Sequence, residues 1–386
     1  MNAMTSLPPA LADESYEMFA ETVRRFFERE ASPERVQEWR DAGIVPREVW
    51  RAAGDAGLLG ASMPAELGGG GGDFGHEAIL TREVGRHNLE GWGLAVHNAI
   101  VLPYFLSYAN EEQKARWIPK LCAGEWICAI AMTEPHAGSD LQRIRTTARR
   151  EGDEYVINGQ KVFISNGQNA DIIVVAAKTD PTLGAKGVSL IVVETADLPG
   201  YRRGRNLDKI GNEMSDTSEL FFDDVRVPAE NLLGGVEGKG FTQMMVKLPQ
   251  ERLLTALLCQ GSAERALWLT LEYVKEREIF GQRLFDFQNT QFKLAEMKTE
   301  TTISEAFVDR CVEQHMRGEM TTELASMAKL YTSELCGRVV DQCLQFFGGY
   351  GYMTEYPIAR MYKDVRVRRI LAGSSEVMKM IIARSL

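Results

Sequence analysis

The segment Leu248-Pro249-Gln250-Glu251-Arg252-Leu253-Leu254 sets one carboxylate beside an almost wholly apolar run that continues through Ala256, Leu257 and Leu258. Pro249 would remove a helix hydrogen bond, and a carboxylate next to such a run loses water. Desolvation disfavours the charged form and lifts the pKa toward the range useful for a general base. The same residues also read as an ordinary helix start, with Glu251 favouring the helix dipole and Arg252 as its ion partner. On these residues alone both readings stand.

A second group is Ala131-Met132-Thr133-Glu134-Pro135-His136-Ala137-Gly138-Ser139-Asp140, where hydroxyls, backbone N–H groups and two carboxylates bracket a proline and a glycine. Such a segment can run along an extended polar ligand and donate to it, or it can be a capped turn. Further on, Gly159-Gln160-Lys161-Val162-Phe163-Ile164-Ser165-Asn166-Gly167 reads as a strand whose aromatic and hydroxyl lie two apart, hence on one face. The stretch Gly70-Gly71-Gly72-Asp73-Phe74-Gly75 matches a G-x-G-x-x-G spacing, yet Met63 to Leu67 is no buried strand and no second βαβ unit exists. It is read as a flexible surface loop. Six cysteines without a C-x-x-C pair and five histidines without an i,i+4 pair give a metal little to bind, so none is expected.

Three textures must position these groups. From Glu14 to about Cys122 the apolar residues fall at helical spacing, as in Phe19, Val23, Phe26 and Phe27, or Trp50, Ala53 and Leu58, with Pro46, Pro64 and Pro103 as punctuation. Short β-branched and aromatic runs follow: Glu154 to Ile157, Lys161 to Ser165, Asp171 to Ala177, Val188 to Glu194 and Ser218 to Val227. Without crossover helices these should form an antiparallel sheet. From Gly240 the helical period returns, with Leu324, Ala328, Tyr331, Leu335, Val339 and Cys343 on one stripe ending at Gly348-Gly349, and Ile303, Phe307 and Cys311 on another. The fold class read from this is α+β, with an N-terminal all-α domain over 1–125, a middle β domain over 126–236 and a C-terminal helical bundle over 237–386.

The 386 residues carry 54 acidic against 44 basic side chains, a net charge of −10 that argues against nucleic-acid or anionic-membrane binding. No apolar stretch approaches the roughly 20 residues of a bilayer span. Met1 to Ala12 show neither a basic, apolar leader nor an Arg-rich transit segment, so a cytoplasmic address is expected.

Taken together, the T-E-P-x-A-G-S-D segment, the G-x-K-x-x-I-S-N strand and Leu220-Phe221-Phe222-Asp223-Asp224-Val225-Arg226-Val227-Pro228 resemble the acyl-CoA dehydrogenase family. The resemblance continues through Glu276-Arg277-Glu278-Ile279-Phe280-Gly281-Gln282, Gln345-Phe346-Phe347-Gly348-Gly349-Tyr350-Gly351 and Ala372-Gly373-Ser374-Ser375-Glu376-Val377, in order, over nearly all the chain after residue 15. It implies an N-terminal helical domain, a central β domain and a C-terminal four-helix domain, FAD as cofactor, and a homo-oligomer, usually a tetramer built as a dimer of dimers. The implied reaction takes a proton from the α-carbon and a hydride from the β-carbon of an acyl-CoA, giving the trans-2-enoyl-CoA, with electrons passed to an electron-transfer flavoprotein.

In many relatives the base is a Glu at the position of Ala372. The long-chain and isovaleryl branch instead carries it at the position of Glu251, with a small residue where Ala372 stands. The resemblance therefore assigns Glu251 as the base. It lays Ile130, Met132, Thr133, Gly138 and Ser139 along FAD, Phe163 and Ile164 on the flavin ring, and Ser165 near its N5. Arg277, Phe280, Gln288, Gln345, Phe346, Gly348 and Gly349 would reach the FAD of a neighbouring subunit, with Arg277 on the pyrophosphate. The glycines also read as a helix cap, and Gln288 as a surface residue. Ser374 and Glu376 would close the adenosine side.

Ser139, Pro249, Arg252, Ala372 and Gly373 match positions that meet the acyl-CoA, and the N–H of Ala372 could hold the thioester oxygen. Pro249 is a candidate for widening the helix beside the base to admit long or branched chains. His136 stands where several relatives have glycine, and Phe163 where a Trp is common. Two alternatives share the fold: a flavin oxidase, and a flavin-binding relative that has lost its chemistry, the latter motivated by Ala372. Chain length of the substrate depends on cavity shape, which spacing does not encode.

Overall fold

The computed structural model describes residues 7–386. The first half of the Met1 to Ala12 segment lies outside them. Helices α1 (Glu14–Glu30), α2 (Pro33–Ala42) and α3 (Arg47–Asp55) open the chain; Asp13 caps α1 by accepting from Ser15 N–H, and Ser32 with Pro33 starts α2. Val23, Phe26, Phe27, Trp39, Trp50 and Leu58 close over Trp92 as one core, each contributing about 1.5–3 kcal/mol by burial. The glycine loop before α4 (Phe74–Arg86) is pinned rather than flexible: Gly70, Gly71 and Gly72 N–H groups donate to Gly60, Met63 and Ala61 carbonyls. Asp73 and His76 then form a capping box for α4. A π-helical turn, Val96–Val101, runs directly into α5 (Leu102–Tyr108), and α6 (Glu111–Cys122) follows.

Seven strands form one sheet: β1 (Cys128–Ala131), β2 (Thr147–Glu151), β3 (Glu154–Ile164), β4 (Ile172–Lys178), β5 (Val188–Glu194), β6 (Tyr201–Asn206) and β7 (Ser218–Pro228). The antiparallel expectation holds for β2/β3, β3/β7, β4/β5 and β6/β7. It fails for β1 with β4, and for the single contact of β2 with β4, which are parallel. A parallel pair needs a crossover, and here the β2–β3 hairpin serves where a helix usually does. The two runs flanking Asn158-Gly159 fuse into β3 across a register shift, with Gly159 at φ +151, where a Cβ would stand 2.7 Å from Thr146 Cα. Strands β2 and β6 escaped the sequence pattern because Arg149, Arg150, Arg202 and Arg203 give them no apolar alternation.

Helix α7 (Gly240–Glu276), the small β8 (Glu278–Ile279) and β9 (Gln282–Arg283) hairpin, α8 (Gln288–Met316) and α9 (Thr322–Phe346) run up, down and up; α10 (Pro357–Asp364) and α11 (Ser375–Ala383) pack against α9. Helix α7 lies between α4 and α9 and is buried on every side from Glu251 to Ala263, so it carries no amphipathic stripe there. Gly85 and Gly261 allow that approach: a Cβ on either would meet a backbone carbonyl of the facing helix at 2.5 and 2.2 Å. Ala328, Leu335, Val339 and Cys343 of the expected α9 stripe are buried, whereas Ile303 of the α8 stripe is exposed. Asp364 accepts from Arg40 at 2.5 Å, Asn88 at 2.9 Å and the N–H of Asn212 at 2.6 Å, which ties the first helices, the sheet's loops and the last helices together. Among the described residues no helix is long and apolar enough to cross a membrane.

Candidate active site

Helix α7 begins at Gly240, so Glu251 lies about three turns inside it. The helix-start reading of Glu251 therefore falls, because dipole effects fade within the first turn. The helix continues through Pro249 without ending. Glu251 is 8% exposed, and Tyr104 Oη donates to its Oε1 at 3.0 Å. Burial pushes the carboxyl up from 4.5 to about 7, against the opposing pull of the Tyr104 hydrogen bond, Arg252 and Lys247. Next to it, Gln250 Nε2 donates to Ala99 O at 2.7 Å and fastens α7 to the π-helical turn.

Arg252 is buried and donates to Ser326 Oγ on α9 at 3.3 Å, while its Nε has no partner. Burial pulls this guanidinium's pKa below its ordinary value. One turn along α9, the buried Lys329 donates to Gly373 O at 2.6 Å. Arg252 and the Ala372-Gly373 turn are thus brought to adjacent turns of the same helix. Ala372 at φ +53 and Gly373 at φ +91 are both left-handed, and holding alanine there costs on the order of 1 kcal/mol. The turn ends at Ser374, whose Oγ caps α11 by accepting from Val377 N–H at 3.4 Å.

The polar loop after β1 is built around Glu134, 3% exposed. Its carboxylate accepts from Arg145 N–H at 2.7 Å, Thr146 N–H at 3.0 Å and Lys161 Nζ at 2.8 Å. Burial would raise this carboxyl, but Lys161 and the hydrogen bonds outweigh it and hold it below its ordinary value. Lys161 is itself drawn down to about 8 by burial, against the opposing pull of Glu134. Val162 N–H donates to Thr133 O at 3.0 Å, so loop and strand β3 are laced together. His136 Nε2 lies 3.3 Å from Glu134 Oε2, turned back on its own loop. Ile130 and Met132 pack on the cluster that holds Tyr104 and Met244, which sets this loop beside the Glu251 helix. Gly138 and Ser139 are exposed, Ile164 is buried, and Phe163 stands 67% exposed at φ +61 with Ser165 two residues on. An aromatic ring held out on left-handed backbone beside free hydroxyls is a face that fits a flat cofactor.

A second group sits elsewhere. Arg277 follows Glu251 by 26 positions, all but the last within α7, or about 39 Å at about 1.5 Å per residue. Its guanidinium lies 5.9 Å from the Tyr350 ring centroid. Phe280 is 93% exposed at φ +50, and Gln288, Gln345, Phe346, Gly348 and Gly349 occupy the same end of the bundle, where Tyr273 stacks on Phe347 at 4.2 Å. Glu376 is exposed at the start of α11. One chain does not bring this group to its own Glu251. A small, partly open cleft lined by Leu11, Ile79, Arg82, Leu257 and Asp309 lies further along α7 and touches neither group.

Sequence reasoning missed Tyr104 and Lys329. Tyr104 sits among Leu102, Pro103 and Phe105 and carries no local signal. Lys329 interrupts an apolar stripe, and a lone lysine on a buried face was the signal available.

Known families match the chain in three pieces: acyl-CoA dehydrogenase, N-terminal domain, over 13–125; middle domain over 129–225; and C-terminal domain over 238–386. The mitochondrial long-chain specific acyl-CoA dehydrogenase of Sus scrofa is 46% identical over 373 residues, 96% of this chain and 86% of that protein. The crystal structure of an acyl-CoA dehydrogenase from Geobacillus kaustophilus has a TM-score of 0.93 and 48% identity, covering 97% of this chain and 98% of that one. A glutaryl-CoA dehydrogenase from Mycobacterium smegmatis in complex with FADH2 has a TM-score of 0.90 at 29% identity, covering 97% and 95%.

Proposed function

Because this chain belongs to the acyl-CoA dehydrogenase family, we propose that it is an FAD-dependent enzyme that desaturates a long-chain or branched acyl-CoA to the trans-2-enoyl-CoA. Electrons then pass to an electron-transfer flavoprotein. Bound FAD supplies the acceptor for the hydride that leaves the β-carbon. Glu251 takes the α-proton. The observation that carries this reading is the Glu251 carboxyl, buried within α7 among leucines with Tyr104 donating to one oxygen at 3.0 Å and raised to about 7, which is ionised enough to accept a proton and basic enough to want it.

The protein's other groups bind and orient. Thr133, Ser139, Ser165 and the outward Phe163 offer hydroxyls and an aromatic face to the cofactor. The Ala372 N–H holds the thioester oxygen as charge builds there, an effect worth about 3 kcal/mol when the donor is preorganised. Arg252 and Gly373 border the same turn. Arg277, Phe280, Gln288 and Gln345 to Gly349 serve a neighbouring copy, since the length of α7 keeps them from Glu251 of their own chain. A homo-oligomer, a tetramer on this reading, follows.

The test is an anaerobic titration of the purified protein with short, long and branched acyl-CoAs, following the flavin absorbance. Bleaching by long or branched thioesters, and none in Glu251→Gln, is expected. Undiminished bleaching in Glu251→Gln removes the base assignment, and rapid recolouring by air points to an oxidase.

A further inference from the structure

Tyr104 is wholly excluded from water and its hydroxyl ends 3.0 Å from Glu251 Oε1. The contact joins positions 147 residues apart. Its placement comes from the π-helical turn Val96–Val101, which closes with Leu102 N–H on His97 O and adds one residue to the helical register just before Tyr104. That turn is held by hydrogen bonds to several elements. His97 Nε2 lies 3.1 Å from Leu121 O, its Nδ1 accepts from Cys128 N–H at 3.2 Å, and Asn98 Nδ2 donates to Leu58 O at 2.6 Å. Ala99 O accepts from Nε2 of Gln250, the residue beside Glu251. Gln250 therefore ties the turn that places Tyr104 to the helix that carries Glu251.

The charged and titratable groups facing Glu251 are few. Helix α5 brings Tyr104 and Tyr108, α7 itself brings Lys247 and Arg252, α8 brings His315 against Lys247, and α9 brings Lys329 against Arg252. Lys247 is turned to Ser107 Oγ at 2.7 Å and Arg252 to Ser326. Among the described residues, the hydrogen bond recorded to the Glu251 carboxyl comes from Tyr104. Burial keeps the phenol protonated far above neutrality, with the Glu251 charge acting the same way, so it remains a donor across the working range.

We propose that Tyr104 is a positioning residue for the base: its hydroxyl takes Oε1, leaves Oε2 free for the α-proton, and favours the ionised carboxylate. This rests on Glu251 being the base. A donor to a charged oxygen stabilises the charged form more than the neutral one. Removing it therefore leaves the carboxyl harder to ionise.

The test compares kcat/KM against pH for the flavin-loaded wild type and Tyr104→Phe, which keeps the ring packed 6.1 Å from Tyr108. The acid limb should move up by about one pH unit, about tenfold in rate below it. Infrared titration of the carboxyl, assigned by its loss in Glu251→Gln, should shift by the same amount without turnover. Site-specific 3-fluorotyrosine at position 104 is a stronger donor of the same shape and should move the limb down, which decides the matter even where Tyr104→Phe does not fold. An unmoved limb with 3-fluorotyrosine, or with a folded Tyr104→Phe, overturns the role of Tyr104 while Glu251→Gln remains inactive. Full activity in Glu251→Gln overturns the base reading and this role with it.

Discussion

Lys161 donates to Glu134 at 2.8 Å with both side chains shut away from water, and this pair holds the Thr133 to Ser139 loop against the strand that presents Phe163 and Ser165. Breaking one partner leaves a buried charge uncompensated. Lys161→Met is expected to cost about 3–5 kcal/mol of stability and to release flavin. Thermal unfolding and the flavin content of the purified variant check this; a variant as stable and as yellow as wild type contradicts it.

The contribution of Glu251 and Glu77 to stability should fall as pH rises from about 4.5 to about 7. Burial lifts both Glu251 and Glu77 from 4.5 to about 7 in the folded state. Between those values the folded protein binds more protons than the unfolded chain, so the favourable contribution is complete below about pH 4.5 and is lost as pH rises to about 7. Glu251→Gln should therefore be inactive yet more stable than wild type at pH 8, by a gain on the order of 3 kcal/mol that vanishes in acid. Melting curves of the pair across pH would show it.

If each site draws Glu251 from one chain and Arg277 from another, two dead variants should rescue each other. Glu251→Gln co-expressed with Arg277→Ala should regain about a quarter of the sites for random pairing in a two-fold assembly. The bleaching amplitude of the mixed protein measures this. No recovery above either variant alone would argue that each chain completes its own site.

Lys329 reaches Gly373 O from a fully buried position, and burial draws its pKa down to about 8. An ion so placed gives little net stability, and an apolar substitute of similar volume is often tolerated. Lys329→Met should thus melt near the wild-type temperature while losing at least about tenfold in kcat, because the Ala372-Gly373 turn loses its anchor. A proportional loss of stability and activity would assign Lys329 to packing alone.

Periodicity in the sequence tells which residues seek burial, and for that reason the helix, strand, helix order was legible from Val23, Val188 to Glu194, and Leu335 to Cys343. The apolar run from Leu253 to Leu258 offered a desolvated Glu251 as one of two readings, whereas the period of two breaks at Phe163, which is left-handed at φ +61 beside a register shift, with Ser165 beyond the end of β3. Periodicity does not name partners. It did not show that Glu251 lies about three turns inside one continuous helix, because no apolar stripe marks a helix that is buried on all sides. Nor did it reveal the parallel pairing of β1 with β4, since the excursion that serves as their crossover is itself a hairpin.

The residue types of the site, a carboxylate beside leucines and an aromatic beside a hydroxyl, were determined by the sequence alone, because they depend on immediate neighbours. What only the tertiary structure decided was which groups meet: Tyr104 with Glu251, Lys329 with Gly373, and the separation of Arg277 from the base by the length of one helix. Those relations come from how rigid elements pack across long stretches of chain, and no local pattern carries them.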